Sequence, residues 1–208
     1  MRVLAIETAS ESCSVALFED KEVLASEHRV LGRDHAEQLV PMIARLPRLG
    51  RADRILVSLG PGSFTGVRIG LATARALGLV WHAKALGYST LRLINEPSRQ
   101  RQRRAATICV NGGHGEWFVQ NFAASGEAET DLLSLRPLQV ADFPVHGTIV
   151  GNRARECLEI VQGDRSAIDQ LPDARQTFLL SASQLTSDLR PIYGRAPDAE
   201  PQKMSAKP

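Results

Sequence analysis

The chain has 208 residues, 43% of them hydrophobic and 23% charged, with 25 Lys and Arg against 23 Asp and Glu for a formal charge of +2. This composition can bury a sizeable core, which excludes disorder for most of the chain and fits one large domain or two small ones. The near-neutral balance argues against a large electrostatic footprint for nucleic acid, and no apolar run reaches the roughly 18 residues a membrane-spanning helix needs.

Residues 2–7 predict a first strand, leading through Thr8, Ala9, Ser10, Glu11 and Ser12 into strands over 13–18 and 22–27. The start of the chain, one basic residue and a short apolar stretch before Glu7, lacks the build of a secretory signal, so a cytoplasmic location is expected. Asp34 is placed to cap a helix in which Ala36, Leu39, Val40, Ile43 and Leu46 recur at helical spacing, with Glu37 completing a capping box. After Gly50 come a buried strand over 54–59, the loop Gly60-Pro61-Gly62-Ser63-Phe64-Thr65-Gly66, and a helix over 67–80. Strand, glycine-rich loop and helix in that order are an α/β arrangement. A short strand over 83–86 and a helix over 89–94 close the first half, and the polar stretch 95–104, with Arg99, Arg101, Arg103 and Arg104, reads as a linker.

The second half restarts with a strand over 106–110, a turn at Gly112-Gly113 and a partner strand over 116–122. Strands near 132–135 and 148–150 and helices over 153–161 and 181–189 follow, and 196–208 predicts a disordered tail. Both halves open on a hairpin, which points to a duplicated unit, 1–98 and 105–195, with a trimmed second copy.

Several groups are chemical candidates. The amides of the glycine-rich loop could face an anion, or its glycines could serve only a tight turn capped by Ser63 or Thr65; it lacks the lysine ending of a Walker loop. Gly66, Gly70, Ala74 and Gly78 recur every four residues, flanked by Val67, Leu71, Leu77 and Val80. Such a small-residue stripe lets another helix approach closely, so the helix is covered either within one domain or by a partner. Glu7 and Glu11 beside Thr8, Ser10 and Ser12 fit a magnesium or phosphate turn, or a solvated hairpin. His35 has no second histidine at helical spacing for a metal, and His114 beside Glu116 fits acid/base work or a turn contact. Cys13, Cys109 and Cys157, odd in number and far apart, read as core residues.

Ala5-Ile6-Glu7-Thr8-Ala9, the segment Asp34-His35-Ala36-Glu37-Gln38 and above all Gly60-Pro61-Gly62-Ser63-Phe64-Thr65-Gly66-Val67-Arg68-Ile69-Gly70 resemble the bacterial TsaB (YeaZ) family. The likeness is strong over about the first 90 residues and returns at Arg190-Pro191-Ile192-Tyr193-Gly194-Arg195. It implies an α/β, actin-like (ASKHA) fold of two related subdomains, the second reduced. It implies, too, a non-catalytic subunit that supports TsaD in forming N6-threonylcarbamoyladenosine at position 37 of ANN-reading tRNAs, with TsaE joining the pair. A homodimer would form when TsaD is absent, tRNA would be met only through the complex, and no membrane is involved.

On this resemblance the partner-binding helices carry Leu39, Val40, Ile43, Val67, Gly70, Leu71, Ala74 and Leu77, and Gly70→Leu or Ala74→Arg would abolish pairing with the fold intact. Neither catalytic residues nor metal are implied, because the stretch 89–94, where TsaD relatives carry His-x-x-x-His, has no histidine. No cofactor is required, but room remains for weak ATP or ADP binding at Gly60, Gly62, Ser63, Thr65 and Gly66. Thr8, Ser10, Ser12, Gly112 and Gly113 would be vestigial phosphate turns, the last two departing from the family's usual hairpin toward TsaD's second phosphate loop. The competing readings are a stand-alone actin-like nucleotide-binding enzyme, a glycoprotease homologue, and RNA binding through Arg99 to Arg104, which a steep salt dependence would reveal.

Overall fold

Strand β1 (Arg2–Glu7) alternates Leu4 and Ile6 toward one side with Ala5 toward the other, and all three are fully buried. A strand apolar on both faces belongs at the middle of a covered sheet. A computed structural model of the chain, which describes residues 1–195, places it there; the tail expected over 196–208 lies outside the described residues.

The first sheet has the order β3-β2-β1-β4-β5, formed by β1, β2 (Ser12–Glu19), β3 (Glu22–Val30), β4 (Arg54–Ser58) and β5 (Lys84–Tyr88). β2 is antiparallel to both β1 and β3, whereas β4 runs parallel to β1 and β5. Helices α1 (His35–Arg45) and α2 (Phe64–Trp81) cover one face: Leu39, Met42, Ile43, Val67, Leu71 and Ala74 pack with the inward side chains of β1, β2 and β4. The other face meets Leu93 of α3 (Thr90–Gln102) and Ala174 from the 3₁₀ turn Ala174–Leu179.

The second sheet repeats the same order, β8-β7-β6-β9-β10, with β6 (Ala106–Gly113), β7 (Glu116–Phe122), β8 (Leu133–Leu135), β9 (Thr148–Val150) and β10 (Ser166–Ile168). β6 is antiparallel to β7 and parallel to β9, as β1 is to β2 and β4. Leu91 and Ile94 of α3 cover one face, and α4 (Ala154–Val161) covers the other with Ala154 and Cys157. α3 is thus sandwiched between the sheets. The duplication and reduction expected from the two hairpins are visible here as strand order and as shorter elements: α4 has 8 residues where α2, its counterpart between the fourth and fifth strands, has 18.

The structure corrects several expectations. The linker over 95–104 is helical as far as Gln102, and Asn95, Glu96 and Ser98 are buried, because packing between two sheets outweighs the polar composition and Pro97. In α1 the buried residues are His35, Leu39, Met42 and Ile43, while Ala36 and Val40 face solvent; Asp34 makes no side-chain capping bond. The β6–β7 hairpin turns at His114 and Gly115, both at positive φ, so Gly112 and Gly113 belong to the strand. The helix over 181–189 shrinks to a 3₁₀ turn at Ala182–Gln184, after which Thr186 exchanges backbone hydrogen bonds with Gly87 on the open edge of β5. With Leu180 and Leu185 on one face of the first sheet and Leu189 and Ile192 on the other, the end of the expected unit 105–195 packs on the first half.

Candidate functional site

The loop between β4 and α2 docks onto the β1–β2 turn, and its glycines mark where. A Cβ at Gly62 would overlap Ala9 O, one at Gly66 would overlap Thr8 O, and one at Gly70 would overlap the Thr8 hydroxyl. The backbones are held by Ser63 N donating to Ala9 O at 2.7 Å and Thr8 Oγ1 donating to Gly66 O at 2.8 Å. Ser63 also caps α2 by accepting from Gly66 N, as the capping alternative anticipated, and Thr65 is exposed. The small-residue stripe therefore faces the chain's own first turn and sheet: Gly70 and Ala74 are buried, and Gly78 lies against Ala83 O. The expectation that it receives a partner helix is overturned. Of the eight expected anchors, Leu39, Ile43, Val67, Gly70, Leu71 and Ala74 are buried, Leu77 packs half-buried on the same core, and only Val40, 58% exposed, faces solvent.

Several of the amides that would cradle phosphate are occupied internally. In the β1–β2 turn, Ala9 N donates to Glu7 Oε1 at 2.7 Å and Ser12 N to Ser10 Oγ at 3.1 Å; Ser12 is itself buried, its hydroxyl on Pro172 O. In the β6–β7 hairpin, Asn111 N donates to Asn152 Oδ1 and Gly113 N to Asn111 Oδ1; in the glycine-rich loop, Gly60 N donates to Ser58 Oγ. Thr8, Ser12 and Gly113 thus serve the fold, and Gly112 lies against the Glu116 carbonyl.

These three loops converge on one cleft between the sheets, of about 880 Å³, where the structure brings Ser10, Gly62, Ser63, Thr65, Gly112 and Gly113 together. Residues that the sequence reading left out of its candidate set join them: Arg33 from the β3–α1 turn, Arg68 from α2, and Tyr193 and Arg195 from the C-terminal segment. That segment is anchored by Ile192 N donating to Leu59 O at 2.7 Å. The Arg68 guanidinium lies 3.4 Å from the Phe64 ring centroid and donates to the Tyr193 hydroxyl at 3.0 Å. Across the cleft, Asn152 Nδ2 donates to both Glu11 carboxylate oxygens at 2.7 and 2.9 Å, and with its bond from Asn111 N it ties the two sheets together. A tripeptide signal, Tyr193-Gly194-Arg195, was legible, but nothing in the spacing of Arg33 and Arg68 announced that they share a cleft with it.

Glu7, the last residue of β1, is fully buried. Burial pushes its carboxyl up to about 7, only partly offset by hydrogen bonds from Ala9, Ser58, Tyr88 and Thr90. Because the folded value lies above the unfolded one, Glu7 contributes stability at pH below 4.5 that is lost as the pH rises through 7. Glu7→Gln, a neutral near-isostere, should match the wild type at pH ~4 and exceed it by about 3 kcal/mol at pH ~8 in urea unfolding. A pH-independent difference would show that Glu7 is not a strained carboxylate.

The remaining candidates separate from the cleft or from chemistry. His35 Nε2 donates to Ser12 O within the core at 3.1 Å. His114 lines the cleft, while Glu116 accepts the Ser134 hydroxyl at 2.6 Å, so the two are not joined as an acid/base pair. Arg99 is tied to the buried Glu96, leaving Arg101, Arg103 and Arg104 exposed at the end of α3. All three cysteines are free and buried, as expected. Among the described residues no three His, Cys, Asp or Glu side chains are grouped to hold a metal, and no helix is long and apolar enough to cross a membrane.

Comparison with known proteins matches residues 23–144, more than half of the chain, to the family described as TsaD: tRNA N6-adenosine threonylcarbamoyltransferase. The chain is 41% identical over 96 residues to the tRNA threonylcarbamoyladenosine biosynthesis protein TsaB of Escherichia coli K12, an alignment spanning 44% of this chain and 41% of that protein. It is 30% identical over 149 residues to the TsaB of Buchnera aphidicola from Schizaphis graminum, covering 66% of this chain and 70% of that one. A crystal structure from Pseudomonas aeruginosa, described as similar to peptidase YEAZ, superposes with a TM-score of 0.76 at 26% identity over 93% of this chain and 99% of its own.

Proposed function

We propose, from the premise that this chain belongs to the bacterial TsaB (YeaZ) family, that it works in tRNA threonylcarbamoyladenosine biosynthesis as an accessory, non-catalytic subunit that pairs with TsaD. The tRNAs served are those reading ANN codons, TsaE joins the assembled pair, and the work is cytoplasmic. The observation that carries the pairing is an apolar strip left facing solvent on the outer sides of two neighbouring helices: Ala36, Val40 and Ala44 on α1, and Ala72, Ala76 and Leu79 on α2. Leu79 is 79% exposed. The alanines at spacings of four allow close helix approach while Val40 and Leu79 supply apolar area.

The occupant follows from the family match. The TsaD family description covers residues 23–144, which include both helices, so a TsaD chain carries a homologous pair, and two like pairs can meet about a pseudo-twofold axis. The same geometry accommodates a second copy of this chain, which forms the homodimer in the absence of TsaD. No metal or nucleotide is required of this subunit, a reading supported by the internally bonded amides of Ala9, Ser12, Asn111 and Gly113.

The test is to titrate the chain into its cognate TsaD with TsaE, ATP and a threonylcarbamoyl-adenylate source, reading modified tRNA by mass spectrometry and complex mass by light scattering. The chain alone should be inert, should form a complex and should raise TsaD turnover. Transfer by the chain alone, or TsaD turnover indifferent to it, would refute the accessory role.

A further inference from the structure

We propose that the end of α3 binds the phosphodiester backbone of RNA through Arg101, Arg103 and Arg104, giving the paired subunits an additional hold on their tRNA. The inference rests on the tRNA-pathway reading above and deepens it: this subunit touches the RNA substrate directly, at a place that holds backbone and reads no bases.

The first ground is unspent charge. Arg101, Arg103 and Arg104 are exposed, and none of their side chains has a hydrogen bond or ion pair among the described residues. By contrast, Arg92, Arg99, Arg153 and Arg175 meet Glu127, Glu96, Glu156 and Asp173. No Asp or Glu occurs from residue 97 to 115, and Glu96 is buried with both carboxylate oxygens committed, one to Arg99 and one to Gln184. The three charges exceed the +2 of the whole chain. A surface too balanced to attract nucleic acid everywhere therefore concentrates its attraction here.

The second ground is placement. By composition alone this run reads as a solvated linker, but Leu91, Leu93 and Ile94 hold α3 between the sheets, and Thr148 Oγ1 pins its last turn by donating to Gln102 Oε1 at 3.2 Å. The backbone carrying the guanidinium groups is thus already ordered, so a ligand does not have to supply that ordering. α3 starts beside the cleft, where Thr90 N donates to Gly60 O at 2.8 Å, and ends about 18 Å further along its axis. α1 and α2 lie across the first sheet from α3. A TsaD chain seated on their outer sides leaves this helix end open to RNA.

The third ground is what these arginines do not do. Basic side chains near helix ends commonly cap the last carbonyls. None of these three donates to one, and the turn is closed instead by Arg103 N donating to Arg99 O at 2.8 Å. Arg103 takes φ 50, a left-handed conformation that glycine adopts at lower cost, so the helix ends on a guanidinium where a glycine would be easier. No Phe, Trp or Tyr occurs from residue 97 to 115, which leaves phosphate contact without base stacking, the chemistry of sequence-independent backbone binding.

Fluorescence anisotropy with a fluorescein-labelled transcript of an ANN-reading tRNA tests this, on the chain alone at low salt and on its TsaD complex over a range of KCl. Arg101→Gln with Arg104→Gln should weaken binding about tenfold and flatten the log K against log salt slope by about 1.4 to 1.8, two phosphate contacts' worth. In the tRNA modification assay the same variant complex should show a KM for tRNA raised about tenfold with kcat unchanged, because the patch touches no reacting atom. Arg103→Gly should weaken binding about threefold while its melting temperature stays at or above wild type, a split that a merely structural arginine would not give. Arg155→Gln with Arg190→Gln removes the same charge from exposed positions elsewhere and should leave both readouts within about twofold. Thermal melting establishes that each variant is folded. Overturning results are unchanged affinity and slope in the Arg101 and Arg104 variant, an equal loss in the Arg155 and Arg190 variant, or loss of TsaD or TsaE association on light scattering in the Arg101 and Arg104 variant, which would assign the patch to an acidic protein surface. A wild-type chain that forms no complex with TsaD would count against the accessory-subunit reading, and the anisotropy of the chain alone would still decide this one.

Discussion

Gly66→Ala is expected to destabilise the fold by about 3 kcal/mol, although alanine favours a helix interior over glycine by about 1 kcal/mol. Gly66 is the third residue of α2, and its new Cβ would overlap the Thr8 carbonyl, which is backbone and cannot swing aside. The clash falls where Thr8 Oγ1 and Ser63 N hold turn and loop together, so relief would also stretch those hydrogen bonds. Gly78→Ala is the control on the same stripe: its Cβ would stand 3.1 Å from Ala83 O near the end of the helix, a misfit that a few tenths of an ångström relieves. Its cost should stay within about 1 kcal/mol. Urea unfolding of both variants decides the matter, and a Gly66→Ala protein at least as stable as wild type would mean that the turn and α2 do not pack this closely.

Val40→Glu combined with Ala76→Glu is expected to weaken association with TsaD by about 100-fold or more while thermal melting stays within a few degrees of wild type. Both side chains point to solvent in the free chain, so charge costs the fold little, but a dry helix contact would have to bury two unpaired carboxylates. Gly70→Leu and Ala74→Arg, which the sequence alone recommended for the same purpose, would fail differently. Gly70 has the Thr8 hydroxyl where its Cβ would go, and Ala74 is fully buried, so both variants should unfold the chain rather than report on pairing. Sedimentation of the Val40 and Ala76 variant with TsaD is the measurement; undiminished association would place the interface elsewhere.

These two expectations show where sequence reasoning stops. A repeat of small residues every four positions says that something approaches the helix closely, and it is silent on what. Here the approaching object is the turn after β1, some fifty residues earlier, and only the folded chain shows that Thr8 and Ala9 occupy the space. The same limit applies to α1, where His35 and Met42 rather than Ala36 and Val40 line the core. Those sets differ by about one position of helix rotation, which an apolar pattern containing alanine does not discriminate.

What the sequence determined by itself is the set of local and strongly patterned features: the central strands, the glycine-rich strand-to-helix loop, the hairpin that opens each half, and through those motifs the family. Hydrophobic alternation and φ-permissive residues act over a few positions, so they can be read without knowing the rest of the chain. Tertiary structure alone decided that residues 95–102 are helical, with 95–98 buried between two sheets, that the amides of Ala9, Ser12, Asn111 and Gly113 are satisfied internally, and that Arg33, Arg68 and Arg195 share one cleft. Each of those facts depends on contacts between residues far apart in the chain, and the energy of burying a surface or pairing an amide is set by what arrives from elsewhere, which no local pattern records.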